Sequence, residues 1–233
     1  GTITAEVVDG SSSIESVGLL IGQINSGAGT LSISDITLSD GTITLSQVVA
    51  EAGELYSIGG VFGDVDKCST SITDITVENI EVTSTGTFDS FEYVGGFVGY
   101  ANCDGVFENV HVTGFIDVSD SGADAVGGVF GMVAESEITK ASFTGSQEGS
   151  SVIGDSDYTG GLIGRAYDAL VYESFADAHV TGGYNVGGLV GQFETINEGS
   201  ELTNSYALGD VSGYDDVGGL VGEINGPVSN SYA

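Results

Sequence analysis

Apolar residues along this chain fall in short runs broken by Gly, Ser, Asp and Asn, a pattern that predicts many short strands and leaves little room for helices. One run recurs seven times: SVGLLIG (16–22), IGGVFG (58–63), VGGFVG (94–99), VGGVFG (126–131), TGGLIG (159–164), VGGLVG (186–191) and VGGLVG (217–222). Its closing glycines, Gly22, Gly63, Gly99, Gly131, Gly164, Gly191 and Gly222, are spaced by 41, 36, 32, 33, 27 and 31 residues. Twenty of the 39 glycines lie in these runs, so glycine is patterned here and is not low-complexity filler.

A looser second motif follows each first one: SISDITL (32–38), SITDITV (71–77), FENVHV (107–112), ITKASF (138–143), YESFADAHV (172–180), LTNSYAL (202–208) and VSNSYA (228–233). Its alternation points Ile36, Ile75, Val110, Leu38, Val77 and Val112 inward, and Thr37, Thr76 and His111 outward. Phe175, Tyr206 and Tyr232 take the outer track in later coils. A third short strand, such as 113–118 or 210–212, is expected to close each coil, with segments 47–56 and 146–157 as loops on one edge.

Apolar tetrads this short cannot each build a core, but stacked about 4.8 Å apart each completes its neighbour's hydrogen bonds. The expectation is therefore all-β: a right-handed parallel β-solenoid of about seven coils, forming one domain over 1–233. Coils within 1–79 are degenerate and those within 80–233 are regular. A propeller is the rival fold, but its four-stranded antiparallel blades need more than the 27 to 33 residues of the shorter repeats.

Charge narrows the partners. Three basic residues, Lys67, Lys140 and Arg165, stand against 34 acidic ones, for a net charge of −31. Phosphate recognition needs clustered Lys and Arg, so nucleic acid and anionic membrane surfaces are excluded. No apolar run approaches the length of a membrane helix, so no membrane insertion is expected. No signal peptide is visible, and a start at Gly1 fits a leader already removed.

The tract VGGLVGQF…LTNSYALGDVSGYDDVGGLVGEI resembles the GLUG-motif repeats of bacterial surface proteins, closely from Tyr158 to Ala233 and in degenerate form from Gly1 to Asn79. In the degenerate part SVGLLIG lacks the second glycine and SISDITL stands in place of NSYA. The resemblance implies a secreted, cell-surface β-helical stalk of the kind found in adhesins, where the repeats serve as spacer or binding scaffold. It brings no catalytic residue set to any position here.

Candidate chemistry is sparse. Arg165 follows Gly164 at the slot held by Gln23, Asp64, Tyr100, Met132, Gln192 and Glu223 in other coils, which reads as a variable corner. His111 and His179 lie on second-motif strands two coils apart, with no poised nucleophile beside either. Asp64/Asp66, Asp155/Asp157 and Asp215/Asp216 are close pairs, but 34 acidic residues produce such pairs by chance. They are also the candidates for calcium, although no calcium-loop motif occurs, and no cofactor is expected. Threonine-bearing segments at 2–4, 42–44, 83–85 and 86–88 raise an ice-binding face, yet threonine does not recur at one slot in all seven coils.

Cys68 and Cys103 fall five and four residues past their closing glycines, in nearly equivalent slots of consecutive coils, so a disulfide is expected between them. The two ends suggest assembly. Reading from Gly222 through Ala233 and into a second copy reaches Gly22 after 33 residues, within the range of the internal coils. An end-to-end interface is expected between Val228, Ser229, Asn230, Ser231, Tyr232 and Ala233 of one copy and Gly1, Thr2, Ile3 and Thr4 of the next, within 1–9. The functional expectation is a non-catalytic secreted fibre, stalk or adhesin element with itself as partner, and a host or matrix surface as a further one. The alternative is a carbohydrate- or ice-binding module on a β-helix scaffold.

Overall fold

The glycine motifs stack. Their first halves form a seven-stranded parallel sheet of Ser13–Gly18, Glu54–Gly59, Ser90–Gly95, Ala123–Gly127, Tyr158–Gly160, Val186–Gly187 and Val217–Gly218. A two-residue turn later, their second halves open a new column, from Ile21–Asn25 and Phe62–Asp66 to Ile163–Tyr167, Val190–Glu194 and Val221–Asn225. The computed structural model describes residues 1–7, 13–25, 30–47, 54–66, 69–86, 88, 90–146, 151–155, 157–197 and 199–233. Among these there is no helix and every strand pairing is parallel, so the chain is an all-β parallel solenoid and the antiparallel blades of a propeller are ruled out.

The expected three strands per coil become five in the regular coils, as in Tyr158–Gly160, Ile163–Tyr167, Leu170–Tyr172, Phe175–Asp177 and Val180–Thr181. The second motif is bent in its middle by a left-handed residue. Asp35, Asp74, Asn109, Lys140, Glu173, Asn204 and Asn230 occupy this slot with φ between 49° and 59°. Asn and Asp are the side chains that tolerate this conformation best, and they fill five of these seven slots. In the early coils the strands run on through the bend, giving Thr30–Ser39, Ser69–Thr85 and Val98–Asp117. The segments expected as edge loops are shorter than 47–56 and 146–157: Glu54–Gly59 begins inside the first, and Val152–Ile153 inside the second pairs with Val180–Thr181.

Glycine is required where the motif doubles back on itself. A Cβ on Gly187 would lie 1.9 Å from the Val190 carbonyl oxygen, and one on Gly191 2.5 Å from that of Gly164. The two strands of the motif thus lie back to back with no side chain between them. The core sits on the other side of these strands. Phe62, Phe97, Phe107 and Phe130 are fully buried and meet edge to face at 5.1–6.5 Å. Toward the C-terminus the filling residues shrink to Ala176 and Ala207, which pack against Gly161 and Gly188.

The NSYA signature has a physical reading position by position. Its Asn supplies the left-handed bend. Its Ser forms an internal ladder: Ser205 Oγ donates to the Thr203 carbonyl at 2.9 Å and accepts the Ser174 N–H at 3.1 Å. Ser174 and Ser231 repeat the arrangement toward Ala141 and Ser205. Its Tyr joins an outer stack, Phe175–Tyr206 at 5.0 Å and 2° and Tyr206–Tyr232 at 5.3 Å and 7°. Its Ala fits the adjacent glycine. Replacing fully buried Ser205 by Ala strands the Ser174 N–H, so Ser205→Ala is expected to destabilise by about 1–3 kcal/mol. Chemical denaturation checks this, with Thr181→Ala, on the surface of the same region, as the mild comparison.

Candidate functional site

Back-to-back packing of the glycine motif has a consequence at its mouth. The residues just before and just after the motif are brought face to face along the solenoid. One wall carries the register Ser16, Ser57, Tyr93, Ala125 and Tyr158. The other carries Gln23, Asp64, Tyr100, Met132, Arg165, Gln192 and Glu223, so the slot equivalence expected for Arg165 holds in space. Tyr93 and Tyr100 stack across the groove at 5.1 Å and 27°. Two coils on, the Arg165 guanidinium sits 5.1 Å from the centre of the Tyr158 ring, and its Nη2 lies 3.5 Å from Glu194 Oε2.

Between the early coils the groove widens to a cavity of about 440 Å³ lined by Glu15, Ser16, Gln23, Tyr56, Ser57, Asp64, Glu92, Tyr93 and Tyr100. Gln23 Nε2 donates to Asp64 Oδ2 at 3.1 Å, and the Tyr56 hydroxyl to Glu54 at 2.9 Å. Higher up, Gln192 Nε2 donates to Glu223 Oε2 at 2.7 Å. Negative charge dominates the groove. Burial, then the charge of Asp157, pushes the Asp124 carboxyl above its ordinary range; Arg165 opposes this and Glu92 adds to it. Burial, followed by Glu92 and Asp124, pushes the Tyr93 phenol well up. The hydrogen bond and charge of Glu54 raise Tyr56.

The remaining sequence candidates lie apart. His111 is exposed, its Nδ1 2.7 Å from the Ser142 hydroxyl. His179 Nδ1 accepts the Asp210 N–H at 3.1 Å. Asp64 lines the groove, whereas Asp215 and Asp216 are exposed at the last turn. No group of three or more His, Cys, Asp or Glu residues arranged to hold a metal ion occurs among the described residues. Cys103 is buried; Cys68 lies outside the described residues, in a stretch bracketed by the pairings Asp66–Asn102 and Thr70–Gly105.

Phe175, Tyr206 and Tyr232 stand on the outer track as the pattern predicts, above Ser142, His111, Thr76 and Thr37. Phe175 stacks on Tyr206 and Tyr206 on Tyr232, so the faces they share are closed to a sugar. Threonine columns are equally brief: Thr2 and Thr42 are followed by Glu81, and Thr4, Thr44 and Thr83 by Asp117.

The ends of the stack are stepped. Thr2–Val7 pairs with Thr42–Gln47 one level below the first full coil. At the other end Val211–Ser212 is paired by Val180–Thr181, and Val217, Ile224 and Tyr232 are 45%, 50% and 60% exposed.

Halomucin of Haloquadratum walsbyi is 36% identical to this chain over 127 residues, covering 51% of the chain and 1% of that protein. The chain thus spans a small fraction of the relative it matches. No family model and no solved structure matches the chain.

The raised Asp124 carboxyl sets a pH dependence. Below the ordinary carboxylate value both folded and unfolded chains hold this proton. Above the raised value both have lost it, and only the fold bears the cost of a half-buried charge. Stability from this group therefore falls as pH rises between the two values. Asp124→Asn should melt higher than the parent at neutral pH, with the gap closing below the ordinary carboxylate range. A variant that melts lower at neutral pH contradicts this.

Proposed function

We propose that this chain is a non-catalytic, secreted structural element of the cell surface, a stalk or filament segment whose coils continue onto a second copy of itself. The observation that carries the reading is the in-register parallel stacking, in which each coil is laid strand for strand on the one before it. A copy set on the C-terminal end would lay its Thr2–Val7 on Val211–Ser212 and its Ser13–Gly18 on Val217–Gly218, extending both columns in register. Thr37 would then follow Tyr232 on the outer track. In this arrangement Val228–Ala233 abuts the second-motif strand of the next copy and lies beside, not under, its first strand. The partial likeness to halomucin supports an extracellular setting.

We read the motifs as GLUG-type repeats acting as scaffold. The absence of catalysis in this reading rests on placement: His111 and His179 lie on separate coils, and Arg165 is engaged by Tyr158 and Glu194. A Cys68–Cys103 bridge belongs to the same secreted setting. Intact-mass measurement with thiol alkylation of natively prepared protein is expected to find both cysteines oxidised; two alkylated thiols would remove the bridge.

Electron microscopy across a concentration series tests assembly. The full chain is expected to form rods one solenoid wide. Val217→Lys, and deletion of 228–233, should abolish them while β-rich circular dichroism is retained. A chain that stays monomeric at high concentration, or a truncated chain that forms the same rods, contradicts end-to-end stacking and leaves the ends to further coils of a longer protein.

A further inference from the structure

We infer that a trough on the later coils, apart from the glycine-motif groove, binds a neutral sugar. Its floor is a column of glycines. Ile153, Thr181 and Ser212 pair in register on successive rungs. Each is followed by a glycine, Gly154, Gly182 and Gly213 in turn. One rung earlier the same slot holds Val118, a core residue. A Cβ on Gly154, Gly182 or Gly213 would lie 2.6, 2.7 or 2.6 Å from the side chain beneath it, so this backbone rests directly on the core. Along it runs a trough of about 390 Å³, within the roughly 300–1,000 Å³ of small-molecule sites.

A buried hydroxyl beneath this floor points to an occupant. Thr159 is 1% exposed, and its Oγ1 has no hydrogen-bond partner among the described residues. Val17, Ile58, Val94, Val126, Val186 and Val217 hold the same slot in the other coils. Thr159 is thus the polar exception in an apolar column, and it falls where the trough lies. Its Oγ1 is aimed at the floor: it is the atom that a Cβ on Gly154 or on Gly182 would meet first, and both glycines line the trough. Glycine interposes no side chain between this hydroxyl and a guest on the floor. A buried hydroxyl left unpaired is costly. A ligand hydroxyl, which both donates and accepts, completes it on settling between the two glycines.

The rim supplies the other half of a sugar site. Tyr214 lines the trough, is 87% exposed, and stacks on no other ring among the described residues. It therefore offers an open face, unlike the ring faces that Phe175, Tyr206 and Tyr232 share. Along the same trough Thr181 Oγ1 and Ser212 Oγ lie 3.1 Å apart, and Asp155 adds a carboxylate acceptor. An aromatic face for the apolar side of a pyranose and hydroxyl and carboxylate groups for its edge match that ligand class.

Charge selects among sugars. No Lys or Arg lines the trough and the chain carries −31, so a uronate or a sulfated sugar is repelled. A bare metal ion meets a single carboxylate here, and no metal-holding cluster occurs among the described residues. The site goes beyond the scaffold reading and does not depend on end-to-end stacking, because every residue of the trough lies within one chain.

Saturation-transfer NMR and isothermal titration of the full chain test the site. The methyl glycosides of glucose, galactose and mannose, with cellobiose and lactose, are the probes; glucuronate is the charged control. At least one neutral probe is expected to bind saturably, and glucuronate to fail. Tyr214→Ala should weaken binding at least about tenfold. Tyr232→Ala, which removes an exposed tyrosine outside the trough, should bind as the parent does. Thr159→Val separates a binding role from a structural one. Without its unpaired hydroxyl the free variant should melt higher than the parent, yet bind the sugar about fivefold more weakly. The inference is overturned if no neutral probe saturates, if glucuronate binds equally, or if Tyr232→Ala weakens binding as much as Tyr214→Ala. It is overturned equally if Thr159→Val melts lower than the parent or binds as the parent does.

Discussion

Everything in this molecule depends on in-register parallel stacking of one coil on the next. Each strand of an interior coil exchanges backbone hydrogen bonds with its equivalents above and below, so a residue's neighbours are the residues at its own slot in adjacent coils. That constraint turns one-dimensional repetition into columns, and columns into ladders of like chemistry. The serine ladder, the phenylalanine and tyrosine stack, and the column of left-handed residues are three products of the same rule. Stacking also amplifies errors, because a side chain that fails at one slot disturbs two interfaces at once.

The glycine motif adds a second constraint at right angles to the first. Within each coil it brings two strands so close that a Cβ on Gly187 would collide with the Val190 carbonyl. The close approach excludes side chains from the arm, and it fixes the residues flanking the motif as opposing walls of a groove. Structure and candidate site therefore share one cause. The walls are free to vary, which is why one slot holds Gln23, Asp64, Tyr100, Met132, Arg165, Gln192 and Glu223 in turn.

Much of the stacking is legible in the sequence because repetition survives without coordinates. The closing glycines, the inward Ile75, Val77, Val110 and Val112, and the outward Phe175 and Tyr206 all occupy the places that periodicity assigns. The bend inside the second motif escapes an alternation argument, since a single left-handed residue preserves the apolar pattern on either side of it. Its signal was nonetheless present: Asp35, Asp74, Asn109, Asn204 and Asn230 share one slot. The groove is harder. Tyr93 and Tyr100 are neighbours only because the intervening VGGFVG folds back, and nothing in their spacing says that their rings meet.

The stack also makes a metric claim, and distance measurement addresses it most directly. Ser34, Thr73, Glu108, Thr139, Tyr172, Thr203 and Ser229 form one surface column, each a single rung from the next. Paired spin labels at Thr73 and Thr203, Ser34 and Thr203, and Ser34 and Ser229 span four, five and six rungs of that column. Pulsed dipolar spectroscopy should return backbone-corrected separations of about 19, 24 and 29 Å, increasing by ~4.8 Å per coil. Separations that do not grow with the number of intervening coils would contradict the stacked solenoid, and with it every column described for this protein.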